Sequence, residues 1–297
     1  MTKLQTILVT GCAGQLGQSI QYIAAGYPDF DFIFANRQSL DLNDETSITK
    51  FFKNQTFDII VNCAAYTAVD KAEAEPELAN QINYLAVQKL SRIVKEHGSK
   101  LIHISTDYVF SGKQYRPYLE TDEVEPQGVY GKTKLYGENY IKSILKTNAI
   151  IIRTSWIYSE YGNNFVKTIL KLGREHDTLN VIFDQVGTPT YAEDLAKSIM
   201  CIIESQSFNQ EFFKTDIVNY SNEGVCSWYD FAKTIFELTN TQCIVLPVET
   251  KDYPTPAKRP HYSVLNKTKI KKTYHLTIPY WKDSLRLCLT ALLSRAS

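Results

Sequence analysis

The chain lacks net charge: Lys+Arg and Asp+Glu both number 32 in 297 residues, and the pI is near 6.9. A nucleic-acid groove would need a basic excess, and there is no acidic tail to tether a protein. Cysteine is sparse as well. Cys12, Cys63, Cys201, Cys226, Cys243 and Cys288 are scattered with no C-x-x-C pair. That excludes the spacing of a zinc site or a disulfide scaffold and points to reduced thiols. No apolar run reaches the roughly 18 residues of a membrane helix. No apolar leader separates Met1 from the run at 6–10, so a soluble cytoplasmic protein is expected. Internal repeats and low-complexity segments are missing too, and the basic cluster at 267–272 reads as solvated surface.

What is present is an alternation. Residues 6–10 form a short β-rich run closed by Gly11-Cys12-Ala13-Gly14-Gln15-Leu16-Gly17, with a helical pattern at 15–25. Strand, glycine turn and helix in that order are the setting of a dinucleotide fingerprint, here spaced G-x-x-G-x-x-G. The glycines allow a tight turn and close backbone approach, and the helix N-terminus offers N–H groups to a pyrophosphate. A second strand at 31–36 ends in Asn36-Arg37, where a strict NAD binder places a carboxylate for the ribose. Arg37 can instead receive a 2′-phosphate or serve as an exposed turn residue. A helix follows at 47–54.

The third strand, 58–65, is almost continuously apolar, as in a parallel sheet covered on both faces. Ala64 and Ala65 at its end would let a flat ligand lie against the backbone. A helix from Pro76 to His97 stops at Gly98. The fourth strand, 100–106, brings Ser105 and Thr106 to the carboxyl edge, where α/β sheets bind ligands. A hydroxyl there can donate to a substrate carbonyl or cap the backbone.

After a polar loop at 111–127, Tyr130 and Lys134 stand at i and i+4 of a helix at 129–146, on one face. An ammonium beside a phenol draws its pKa down from ~10, so Tyr130 is expected to titrate closer to neutrality and to act as an acid. A fifth strand spans 149–157. Strand and helix alternate to about residue 158, which predicts a doubly wound parallel sheet. Residues 1–158 are read as the dinucleotide-binding domain and 159–297 as a smaller substrate-binding domain interleaved with it. In the latter, helices are expected at 163–175, 191–204, 227–239 and 280–294, strands at 216–220 and 243–248, and a proline-rich irregular block at 253–260.

The glycine turn, Ser105-Thr106 and Tyr130-x-x-x-Lys134 together resemble the extended short-chain dehydrogenase/reductase family. Longer blocks are similar to the dTDP-4-dehydrorhamnose reductases within it: 61–73, 105–110, 129–135, 153–158, 162–165, 184–190 and 253–260. The resemblance implies NADPH or NADH as cofactor and a nucleotide-sugar ketone as substrate. It implies that Gly11, Gly14, Gln15, Leu16 and Gly17 hold the pyrophosphate, and that Asp41 and Leu42 hold the adenine end. Ala64, Ala65, Tyr66 and Thr67 would line the middle of the cofactor. Tyr130 would donate the proton, Lys134 would tune it and hold the nicotinamide ribose, and Thr106 would polarise the ketone. Val69, Asp107, Tyr108 and Trp156 would shape the sugar pocket, while Asn164 and Arg259 would meet the diphosphate.

The alternatives are another nucleotide-sugar epimerase or dehydratase, or a non-catalytic regulatory subunit resembling the reductase. Thr106-Asp107 offers only one of the two acids a dehydratase wants, and the intact Thr106, Tyr130 and Lys134 disfavour a retired enzyme. The resemblance also brings a magnesium ion held by three glutamates between two chains. Here those positions are Gln15, Glu193 and Ala291. One carboxylate is too little for a hard cation, so no metal is expected, and the protein is expected to be a monomer or a metal-independent dimer.

Overall fold

The computed structural model describes residues 4–295. The first half runs β1 (Gln5–Thr10), α1 (Gln15–Ile23), β2 (Phe30–Ala35), α2 (Glu45–Phe52), β3 (Ile59–Asn62), α3 (Val69–Ala74) and α4 (Pro76–Asn80). It continues through a π-helical turn at Gln81–Leu85 into α5 (Ala86–His97), then β4 (Lys100–Thr106), α6 (Val129–Ile144), β5 (Ala149–Thr154) and β6 (Ile157–Tyr158). The second half has α7 (Phe165–Glu175), β7 (Thr178–Ile182), β8 (Val186–Gly187), β9 (Thr190–Tyr191), α8 (Ala192–Glu204), β10 (Asp216–Tyr220) and β11 (Cys226–Ser227). It ends with α9 (Trp228–Thr239), β12 (Ile244–Val248), α10 (Thr268–Tyr274) and α11 (Trp281–Ser294).

Six strands form one parallel sheet in the order β10-β5-β4-β3-β1-β2. Side chains alternate across it with period two. Ile7 and Val9 of β1, Ile59 and Val61 of β3 and Ile102 of β4 enter one core with α1 and α8. Leu8, Ile60 and Leu101 enter the opposite core with α2, α5 and α6. Both faces are covered, which is why these strands read as unbroken apolar runs, and each buried aliphatic side chain contributes roughly 1.5–3 kcal/mol. The sixth strand, β10, comes from the second half and pairs with β5. A third core, centred on Phe231 and Trp281, holds α7, α9 and α11 together.

Local signals account for most boundaries. Asp44 caps α2 by accepting from Thr46 N, Gly98 ends α5 at φ 68, and Ser227 and Asp230 form a reciprocal cap on α9. Several expectations need correction. The helix from Pro76 to His97 carries a π turn in its middle, and α3, α10 and β7, the parallel partner of the expected strand at 243–248, were not anticipated. The fifth strand ends at Thr154, short of residue 157, because Trp156 takes a left-handed backbone at φ 46. Lys267, expected on the surface, is 8% exposed: its ammonium donates to Asn222 O at 3.2 Å and faces Glu223 at 3.5 Å.

The direction of the chain reverses at β1, with β2 on one side and β3 on the other. The crevice beyond the carboxyl ends of β1 and β3 is the switch point at which doubly wound sheets bind ligands. Gly11 after β1 and Ala64 after β3 press together there: at φ 65, a Cβ on Gly11 would lie 2.7 Å from Ala64 Cα.

Candidate active site

A cleft of about 970 Å³ opens at this switch point and runs to the second half of the chain. Every candidate position from the glycine turn to Arg259 lies on its wall. Cys63, Asp70, Ile82, Phe165 and Trp228 line it too and were not singled out from sequence. Of these, Cys63, Asp70 and Phe165 lie inside the blocks 61–73 and 162–165 that carry the resemblance. Ile82 and Trp228 carry no local signal, because distant segments bring them to the cleft.

The Gly11 end suits a dinucleotide. Gly14 is the N-cap of α1 and makes no side-chain cap, and the first turn holds no acid, so its N–H groups are open to an anion. A Cβ at Gly17 would lie 2.5 Å from Cys12 Cα, so the turn closes only with glycine there. Arg37 lies at the far end, its side chain 75% exposed and paired only loosely with Asp41 at 3.4 Å.

At the cleft's centre, α6 crosses the end of β4. Gly131 lets the helix press against the carbonyl of Tyr108, where a Cβ would collide. Below, Glu138 is buried and ion-paired with Arg153 of β5 at 2.6 Å, and Ser105 Oγ donates to the same carboxylate at 2.5 Å. This network ties α6 to β4 and β5 one helical turn from Lys134. Thr106 Oγ donates to Asp107 Oδ1 at 3.0 Å beside the Tyr130 phenol, and the rings of Tyr108 and Tyr130 meet edge to face at 5.5 Å.

The electrostatics overturn one expectation. Burial pushes the Tyr130 phenol up to about 12; the nearby Thr106 hydroxyl draws it back and the Asp107 carboxylate raises it again. Lys134 does not pull it down, because its ammonium donates to Ile104 O at 2.6 Å and meets His103 Nε2 at 3.4 Å. Burial lowers Lys134 itself to about 8, against the opposing charges of Glu138 and Cys63. Asp107 is raised to about 7 by burial, partly offset by nearby Ser263 and by the hydrogen bond that Thr106 Oγ donates to its Oδ1 at 3.0 Å. Two buried groups therefore titrate near neutrality beside a protonated phenol.

At the sugar end, Trp156 stacks on Trp228 with ring centroids 3.5 Å apart and planes 11° from parallel. Arg259 holds Asp70 with two bonds of 2.9 and 2.6 Å. Asn164 lines the cleft, but its amide is committed within the protein. Its Nδ2 donates to Gln15 Oε1 at 2.9 Å and to Ser159 O at 2.7 Å, and its Oδ1 caps α7 through Lys167 N.

The positions that the resemblance links to magnesium do not suit one. Gln15 Oε1 already accepts from Asn164 and Ser159, Glu193 is paired with Lys197 at 2.7 Å, and Ala291 has no donor. Among the described residues no group of three or more His, Cys, Asp or Glu could hold a metal.

A parallel sheet with a glycine turn at its switch point, Thr106 at the end of β4, and Tyr130 and Lys134 on the helix α6 that crosses it define a nicotinamide-dependent oxidoreductase of the extended short-chain class. The chain belongs to the family described as RmlD substrate binding domain, whose model matches residues 5–294. It is 40% identical over 291 residues to a dTDP-4-dehydrorhamnose reductase of Sinorhizobium fredii, covering 97% of each chain. A solved dTDP-4-dehydrorhamnose reductase from Clostridium acetobutylicum has a TM-score of 0.90 at 41% identity, covering 97% of this chain and 100% of that one. The Bacillus anthracis dTDP-4-dehydrorhamnose reductase, solved in complex with NADP, gives 0.90 at 35% identity with the same coverage. Among the described residues, no helix is long and apolar enough to cross a membrane.

Proposed function

We propose that this protein reduces the C4 ketone of dTDP-4-dehydro-6-deoxy-L-mannose to give dTDP-L-rhamnose, the last step of dTDP-rhamnose biosynthesis. The observation that carries the reading is Thr106, Tyr130 and Lys134 on one wall at the centre of a cleft with a dinucleotide cradle at one end. A reduced nicotinamide, NADPH or NADH, supplies the hydride when bound. Gly11, Gly14, Gln15, Leu16 and Gly17 hold its pyrophosphate, and Asp41 and Leu42 its adenine end. The alanines at 64 and 65, with Tyr66 and Thr67, line its middle.

The chain's own part is binding and proton transfer. Thr106 and Tyr130 donate to the sugar oxygen as negative charge develops on it, which stabilises the transition state. A phenol held at about 12 keeps its proton until the alkoxide, a far stronger base, forms beside it. Val69, Asp107, Tyr108 and the Trp156–Trp228 stack enclose the sugar, and Arg259, oriented by Asp70, offers its charge and remaining N–H groups to the diphosphate. We place the protein in the cytoplasm, in keeping with six free cysteines, as a monomer or a metal-independent dimer.

The test supplies dTDP-, UDP- and GDP-linked 4-ketosugars in turn with NADPH and identifies the product. Turnover of the dTDP compound to dTDP-L-rhamnose, at least tenfold faster than the others, is expected. Equal turnover of all three would overturn the substrate assignment.

A further inference from the structure

A line of buried polar groups runs beneath the cleft from β1 to α6, and the reaction as described above does not use it. Thr10 Oγ donates to Asn62 Oδ1 at 2.7 Å, Asn62 Nδ2 lies 3.0 Å from His103 Nδ1, and His103 Nε2 lies 3.4 Å from Lys134 Nζ. Three adjacent strands, β1, β3 and β4, each contribute one residue from the same level of the sheet: Thr10 is in register with Asn62, and Asn62 with His103. Thr10, Asn62, His103 and Lys134 are all 1% exposed or less. Such a row costs stability unless every member is partnered, and here each one is.

The order of donors fixes the imidazole. Thr10 gives its proton to the amide oxygen, so Asn62 turns its NH₂ towards His103 Nδ1. A ring nitrogen that accepts carries no proton. Burial and the nearby Lys134 charge hold His103 far below its ordinary value, so the ring is neutral and its one proton sits on Nε2, facing Lys134. An N–H aimed at an amine finds a lone pair, whereas the same N–H aimed at an ammonium meets like polarity. Ile104 O still accepts one proton from the lysine in either state.

We propose that His103 is a positioning residue for the reduction: locked by Asn62 and Thr10, it favours the free-amine form of Lys134 and so sets the pH at which that lysine gives up its proton. Other groups face Lys134. Tyr130 and Glu138 share α6 with it, Cys63 follows β3, and Arg153 of β5 is paired with Glu138. Glu138 and Cys63 favour the ammonium and burial opposes them, which leaves Lys134 at about 8; a His103 N–H facing it at 3.4 Å adds to burial's side. In this position the lysine can exchange a proton with its surroundings at physiological pH, which a surface lysine cannot do.

The proposal rests on the reductase reading, and its test has one arm that does not. Nitrogen NMR of the ring of His103, assigned by its loss in His103→Phe, should show Nε2 protonated and Nδ1 bare. A wild-type spectrum with the proton on Nδ1 overturns the proposal, whatever the enzyme reduces. The second arm is the pH profile of kcat/KM for the dTDP-linked 4-ketosugar. His103→Phe removes the opposing N–H. Asn62→Asp places a carboxylate against Nδ1, which draws the ring proton there and turns a lone pair to Lys134. Both should move the basic limb up by about one pH unit. If His103→Phe does not fold, Thr10→Val, which frees the amide to turn over, should move it in the same direction by less. A folded His103→Phe or Asn62→Asp whose basic limb stays in place, with only the rate reduced, would show a structural role alone. A wild-type protein with no reductase activity would contradict the functional reading, while the NMR arm would still decide the tautomer.

Discussion

Asp70 and Arg259 are 189 residues apart in sequence and meet in a bidentate ion pair on the wall of the cleft, at 2.9 and 2.6 Å. The guanidinium is thereby held in one orientation, its side chain 21% exposed, and its Nη1 donates to Ala257 O at 3.3 Å as well. Arg259→Ala should raise KM for the sugar nucleotide by roughly 10- to 100-fold, the loss of one or two charge-assisted hydrogen bonds. Arg259→Lys should recover only part of this, since an ammonium lacks the fork. Cofactor affinity, measured separately by fluorescence titration, should stay within a factor of two. A KM unchanged in Arg259→Ala would make the pair a purely structural clasp.

Arg37 should matter for the phosphorylated cofactor only. It is the cation at the adenine end, mostly exposed, and Asp41 holds it loosely at 3.4 Å. Arg37→Ala should raise KM for NADPH by roughly tenfold, the worth of one exposed charge-assisted contact, and leave that for NADH near its starting value. Equal changes for both cofactors would assign Arg37 to the turn instead.

How far these residues could be read from sequence follows from where their constraints arise. The glycine turn, the β4 end and the Tyr130–Lys134 spacing are local patterns, and the structure brings all of them to one cleft. The direction of Lys134's ammonium is not local. The helix face is visible in the spacing, but the carbonyl of Ile104 and the ring of His103 that capture the side chain belong to another strand. Trp228 and Ile82 reach the cleft through crossings that no short window encodes. Lys267 misled for the same reason: its partner Glu223 lies in a separate segment, and a run of lysines looks solvated until that contact forms. The strand β7 escaped because Thr178–Ile182 alternates exposed and intermediate residues before its buried end.

Asp107 should leave a signature in the pH dependence of stability. Its folded pKa, about 7, lies above the ordinary carboxyl value, so between those two values the folded chain holds a proton that the unfolded chain has released. Stability therefore falls as pH rises through that window and levels off above about 7, with a slope from this group of at most ~1.4 kcal/mol per pH unit. Asp107→Asn should flatten the melting temperature over the same range. A variant with the wild-type slope would show that Asp107 is ionised throughout.

Metal removal should change nothing in turnover. Gln15, Glu193 and Ala291 hold no set of free oxygens for a hard cation, and Glu193 already has Lys197 at 2.7 Å and the hydroxyl of Tyr191 at 3.2 Å. Activity after EDTA treatment should equal that of the untreated enzyme. Loss with EDTA and recovery with magnesium would reveal a site built from other residues.

In the proposed reaction hydride reaches C4 of the sugar while Tyr130 protonates its oxygen, and isotope transfer follows both events. NADPH deuterated at the transferring position should give product with one deuterium at C4. Tyr130→Phe should form the same labelled product roughly 10²- to 10⁴-fold more slowly, the usual loss for a positioned acid, with cofactor affinity retained. Product lacking deuterium at C4, or a Phe variant keeping more than about a tenth of the wild-type rate, would contradict the account.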